Sequence, residues 1–120
     1  MKTDVNGRPA IGQTSCKLGA RVPQDIAPDP NGFVQPGMGG MSVSSHPRLL
    51  PEFLRPAAFS GGRGELPVFE YTGRWPETLR LREKRPGSGQ FLVEPARRCR
   101  LEEYQAALAA TLGDWTEVTF

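Results

Sequence analysis

The chain has 120 residues, of which 38% are hydrophobic and 23% charged, with a formal net charge of +2. This composition excludes a fully disordered chain and fits one domain, residues 1–120, with a modest core. No apolar run approaches the roughly 20 residues of a membrane-spanning helix and no secretory hydrophobic stretch opens the chain, so a soluble, cytoplasmic protein with no membrane partner is expected.

Fourteen glycines and 12 prolines predict a turn-rich fold with little helix. In residues 1–27 the turn signals are Asn6-Gly7-Arg8-Pro9 and Gly12, and Ile11, Leu18, Val22 and Ile26 read as inward contacts of short extended pieces. Thr14, Ser15 and Cys16 suit the start of a helical turn whose length Pro23 limits. From Pro28 to Ser45 the chain reads PDPNGFVQPGMGGMSVSS, a strand, a glycine-rich turn and a strand, with Gly32 to Gln35 and Met41 to Ser44 as arms of a hairpin. Alternation that turns Val43 inward puts Ser42 and Ser44 on the opposite face. Leu49, Leu50, Phe53 and Leu54 stand among Pro47, Pro51 and Pro56, which predicts one turn of helix or 3₁₀ helix pinned on the core.

Ser60 to Gly64 is a loop. Pro67 to Thr72 alternates, with Val68, Glu70 and Thr72 facing one way and Phe69 and Tyr71 the other. Thr78 to Glu83 is a second amphipathic strand, Arg85 to Gly89 a turn, and Gln90 to Glu94 an apolar strand stopped by Pro95. Leu101, Tyr104, Leu108 and Leu112 form an apolar stripe at helical spacing, with Glu102 and Glu103 in the first turn and Gly113 as the stop, which predicts a helix over about 101–112. Trp115 then folds back on the stripe, and Thr116 to Phe120 reads as a last strand. Several short strands with one C-terminal amphipathic helix give an α+β domain.

The candidate chemistry is sparse. Cys16 and Cys99 have no CxxC spacing and His46 is the only histidine, so no metal site is expected and reduced thiols are. No GxSxG elbow is present for a serine hydrolase. Arg74 to Arg100 holds eight basic residues against three acidic ones, suited to a solvated strand face, to phosphates or to an acidic partner, without a nucleic-acid-binding motif. GMGGMSVS is neither a phosphate loop nor a GxGxxG fingerprint, and serves a structural hairpin or a ligand cradle equally. Ser42 and Ser44 offer hydroxyls to a ribose or phosphate. Glu70 and Glu94 on strands, and Asp25 and Asp29 on loops, are the carboxylates able to steady a cationic transition state. Trp75, in a turn between Arg74 and Pro76, is placed to stack on a nucleobase or nicotinamide ring.

Residues 20–45, ARVPQDIAPDPNGFVQPGMGGMSVSS, and the later FLVEPARRCRLEEYQAAL resemble small type VI secretion effector toxins with an ADP-ribosyltransferase-like fold. The matching words are Asp25-Ile26, Gly32-Phe33, Pro36 and Gly39-Gly40-Met41-Ser42-Val43. Met41 stands where that family has threonine, and Gln90-Phe91 where it has a histidine-tyrosine pair. The resemblance implies a split two-sheet fold with a cleft for NAD as substrate. It places Ser42 in that cleft with Gly39, Gly40, Met41 and Ser44 beside it, Glu70 or Glu94 as the carboxylate, Arg8 or Arg21 on the pyrophosphate and Trp75 on the nicotinamide. It further implies ADP-ribosyl transfer or NAD hydrolysis, toxicity, delivery into a target cell and a dedicated immunity protein. A non-enzymatic interaction module that retains the fold and uses the Arg-rich half stays open beside it.

Overall fold

The structure is a computed structural model that describes residues 1–14, 16–59 and 61–119. Its one α-helix among these residues, α1 (Leu101–Ala109), forms for the reason the sequence gives: Tyr104 and Leu108 are buried and Leu101 partly so, on one face. Glu103 reaches back to accept the Arg100 N–H at 3.2 Å, and both first-turn acids sit at the positive end of the helix dipole. The helix stops a turn before Leu112. Thr111 Oγ1 donates to the Leu108 carbonyl at 2.6 Å and accepts Trp115 Nε1–H at 2.9 Å, and a 3₁₀ turn, Leu112–Asp114, swings the chain into a strand. Gly113, the expected stop, lies inside that 3₁₀ turn.

Among the described residues, seven short strands make three antiparallel sheets. They are β1 (Phe33–Val34), β2 (Met41–Ser44), β3 (Val68–Tyr71), β4 (Leu79–Glu83), β5 (Gln90–Pro95), β6 (Cys99–Arg100) and β7 (Trp115–Val118). The sheet orders are β1–β6, β2–β5–β4 and β3–β7. The architecture is α+β. The expected strands match β3, β4, β5 and β7 to within a residue or two; Phe120, at the end of the last expected strand, lies outside the described residues, as do Ser15 and Ser60. The expected turn among the prolines is the 3₁₀ segment Pro47–Leu49, but Phe53 beyond it is 57% exposed and not pinned on the core.

The expected hairpin from Gly32 to Ser44 does not form. β1 pairs with β6, with Val34 opposite Cys99, and β2 pairs with β5, with Met41 opposite Val93. The intervening glycines explain this, because they let backbones approach too closely for a side chain. A Cβ on Gly39 would lie 2.1 Å from the Asp25 carbonyl oxygen, and one on Gly40 would lie 2.3 Å from that of Val93. The glycine-rich segment is thus clamped between the Asp25–Ile26 loop, where the Gly40 N–H donates to Asp25 O at 2.9 Å, and β5.

The core joins Leu18, Ile26, Val34, Met41, Phe69, Leu79, Val93, Tyr104, Leu108 and Trp115. Within it the Tyr104 hydroxyl accepts the Met41 N–H at 3.0 Å and donates to the Val93 carbonyl at 2.5 Å. It stands between two residues that face each other across β2 and β5, so the helix completes the ladder at this rung. Burial pushes the Tyr104 pKa up, keeping the hydroxyl a donor. Among the described residues no helix is long and apolar enough to cross a membrane.

Candidate functional site

An open cleft of about 1060 Å³ lies between the three-stranded sheet and the β3–β7 sheet. Met41, Val43, Leu81 and Phe91 line one wall, and Phe69, Tyr71 and Trp115 the other. Trp75 closes the aromatic wall, stacked on Tyr71 at 3.8 Å between ring centroids and 18° between planes. Tyr71 in turn is tilted against Trp115 at 5.1 Å. Packing therefore accounts for one face of Trp75, the residue whose place the sequence explains least.

The polar lip is built by β2, an edge strand. Met41 and Val43 belong to the apolar side of the sheet, and Ser42 and Ser44 alternate to the other, as expected from the strand period. Lys84 Nζ donates to Ser42 Oγ at 3.1 Å, and Ser44 Oγ donates to Gln90 Oε1 at 3.2 Å. The backbone alternates as well. The Ser45 N–H donates across to the Gly89 carbonyl at 2.9 Å and the Gly40 N–H to Asp25 on the other side, so by the two-residue period the main-chain groups of Ser42 and Ser44 are directed to the free edge of the strand. Ser42, Ser44, Gln90 and Lys84 all line the cleft.

Six of the ten residues singled out from the sequence come together on this cleft: Ser42, Glu70, Arg21, Met41, Ser44 and Trp75. Glu70 is exposed on β3, opposite Thr116. Arg21 is held by Asp25, through Nε at 3.1 Å and Nη2 at 3.0 Å, so this end of the cleft carries a neutralised pair rather than a bare cation. The hydrogen bond to Asp25 raises the Arg21 pKa further.

Four residues do not join them. Gly39 and Gly40 serve the close backbone contacts already described. Arg8 is turned to the protein, its Nη1 donating to the Trp115 carbonyl at 2.8 Å. Glu94 is 0% exposed. Its Oε1 accepts Arg80 Nε–H at 2.8 Å, and its Oε2 accepts Arg82 Nε–H at 3.2 Å and the Gly37 N–H at 2.9 Å. Burial alone would raise the Glu94 pKa. The Gly37 N–H and the two guanidiniums outweigh it, and the carboxyl is held below its usual range.

The residues that sequence reasoning passed over are Tyr71, Lys84 and Gln90. Lys84 follows Arg80 and Arg82 at the two-residue strand step, a signal legible in the sequence. Tyr71 carries no such signal. Its hydroxyl is buried and has no hydrogen-bond partner among the described residues, and burial followed by the nearby Asp114 charge raises its pKa. No group of three or more His, Cys, Asp or Glu side chains able to hold a metal occurs among the described residues. Compared with protein-family models, with curated proteins and with solved structures, the chain gives no match.

Proposed function

We propose that the cleft binds NAD as a substrate and that the chain is a small effector toxin with an ADP-ribosyltransferase-like fold, transferring ADP-ribose or hydrolysing NAD. One observation carries the reading: the cleft is bordered by the stacked Trp75–Tyr71 wall, the Ser42 edge and Glu70, in a volume of about 1060 Å³. Clefts that enclose small ligands run to roughly 300–1,000 Å³, so a dinucleotide has room. In this reading the aromatic wall takes a flat ring, and Ser42 with its free backbone edge takes polar ribose or amide groups. Glu70 faces the ribose as the bond between its anomeric carbon and the nicotinamide nitrogen breaks. The electron pair leaves with nicotinamide, and the carboxylate steadies the positive charge left on the ribose. Glu94, with both oxygens bound, is assigned a structural part. The resemblance adds delivery into a target cell by a type VI secretion machine, action in its cytoplasm and an immunity protein covering the cleft.

The test is calorimetry with NAD together with an assay of nicotinamide release. Saturable binding is expected, weakened by Ser42→Ala, with release lost in Glu70→Gln while the thermal melt is unchanged. Absence of both NAD heat and growth arrest on expression would overturn the reading. The apolar rim supports a second reading, since Phe53 at 57% and Leu81 at 43% exposure border the cleft and suit a protein partner without chemistry. Salt-sensitive capture of one partner, lost on charge reversal at Arg97 and Arg98, would favour it.

A further inference from the structure

We propose that the outward face of β4 is a second anion site, in which Arg80, Arg82 and Lys84 bind the diphosphate group of a small ligand. It goes beyond the cleft reading: Lys84 and its Ser42 partner border the cleft, while Arg80 and Arg82 do not line it. Across the sheet this face runs in rows: Gly40, Glu94 and Arg80; then Ser42, Leu92 and Arg82; then Ser44, Gln90 and Lys84. Glu94 is completely buried and binds each arginine through Nε. Both guanidiniums therefore converge on one carboxylate, and their terminal amino groups have no protein partner among the described residues. Their side chains remain 53% and 43% exposed.

That is how a protein prepares arginine for an oxyanion. The carboxylate fixes the plane of each guanidinium, lowering the entropy lost on binding, while the outer edge stays open for paired N–H···O bonds. Here two arginines share Glu94, and Lys84, the next position along the same face, rests only on the neutral Ser42 hydroxyl. An excess of positive charge faces solvent from three adjacent side chains. Two converging forks suit one phosphoryl group and the neighbouring lysine suits a second, which is the layout of a diphosphate. Extended nucleic acid fits less well, because the outward rows hold no aromatic ring on which a base would stack.

Titration of the full chain with inorganic pyrophosphate, followed by calorimetry, tests the site. Saturable one-to-one binding is expected, weakened at least about tenfold in Arg82→Lys, which keeps the charge but loses the fork. Variants that strand Glu94 risk unfolding. The paired change Arg80→Gln with Glu94→Gln removes one charge of each sign and leaves an amide oxygen to accept from the half-exposed Arg82 and the Gly37 N–H, and it too should weaken binding while the melt stays cooperative. The native protein supplies an independent readout: pyrophosphate should protect Arg80 and Arg82, but not Arg48, from phenylglyoxal. Equal binding by Arg82→Lys, or equal protection of Arg48, would overturn the site. A single-stranded oligonucleotide that binds more tightly than pyrophosphate on the same arginines would overturn the diphosphate assignment.

Discussion

Glu94 and Glu70 sit on neighbouring sheets and look alike in sequence, each on an alternating strand, yet their surroundings are opposites. Around Glu94 both oxygens are bound by three donors and the side chain is sealed from water. Around the cleft, Glu70 is exposed, the Tyr71 hydroxyl bonds nothing among the described residues, and the Ser42 and Ser44 main chain faces an open edge. The difference separates two uses of polar groups. A satisfied buried charge fixes one arrangement of loop, strand and sheet. A buried group left without a partner costs stability, while exposed groups beside a cleft are available to a ligand.

The comparison breaks most sharply at Glu94. Replacing it with alanine would leave two oriented guanidiniums and the Gly37 N–H without an acceptor, and is expected to cost about 3 kcal/mol in urea unfolding. Because its folded pKa lies below the ordinary value of 4.5, the stability it contributes is present above that value and is lost as pH falls through the folded pKa. Wild-type stability should therefore decline below about pH 4.5, with a shallower decline in Glu94→Gln. Next comes Tyr104→Phe, which deprives the buried Met41 N–H and Val93 carbonyl of their shared partner, for an expected loss of about 2 kcal/mol. The cleft should respond in the other direction. Tyr71→Phe deletes a buried hydroxyl that bonds nothing among the described residues, so stability is expected to stay level or rise by about 1 kcal/mol in the same urea unfolding. If Tyr71→Phe instead destabilises as Tyr104→Phe does, the contrast between the two regions fails.

Local features were legible in the chain and distant pairings were not. The period-two runs give β3, β4 and β5, and the Leu101–Tyr104–Leu108 stripe gives α1, because each depends on neighbours within a few residues. The hairpin expected between Gly32 and Ser44 failed because β1 and β2 each find a better partner near the far end of the chain, and glycine words carry no information about which. The role of Glu94 was half legible. Folding Leu79–Pro95 about the Arg85–Gly89 turn places Arg80 opposite Glu94, and that pairing follows from strand alternation. Its third donor, the Gly37 N–H, lies 57 residues away and could be found only in the folded chain. The cleft was legible in its edge, through Ser42, Ser44 and Met41, and illegible in its aromatic wall, whose four rings come from two strands and a turn.

The Tyr104 hydroxyl also ties the serine edge to the far end of the chain. The β4–β5 hairpin closes over a short loop and needs only local contacts. Met41 takes its partner from a residue 63 positions later, held in place by the helix. The serine edge and the cleft beside it therefore depend on the helix as much as on their own strand, so a change that loosens α1 is expected to reach the cleft without touching it.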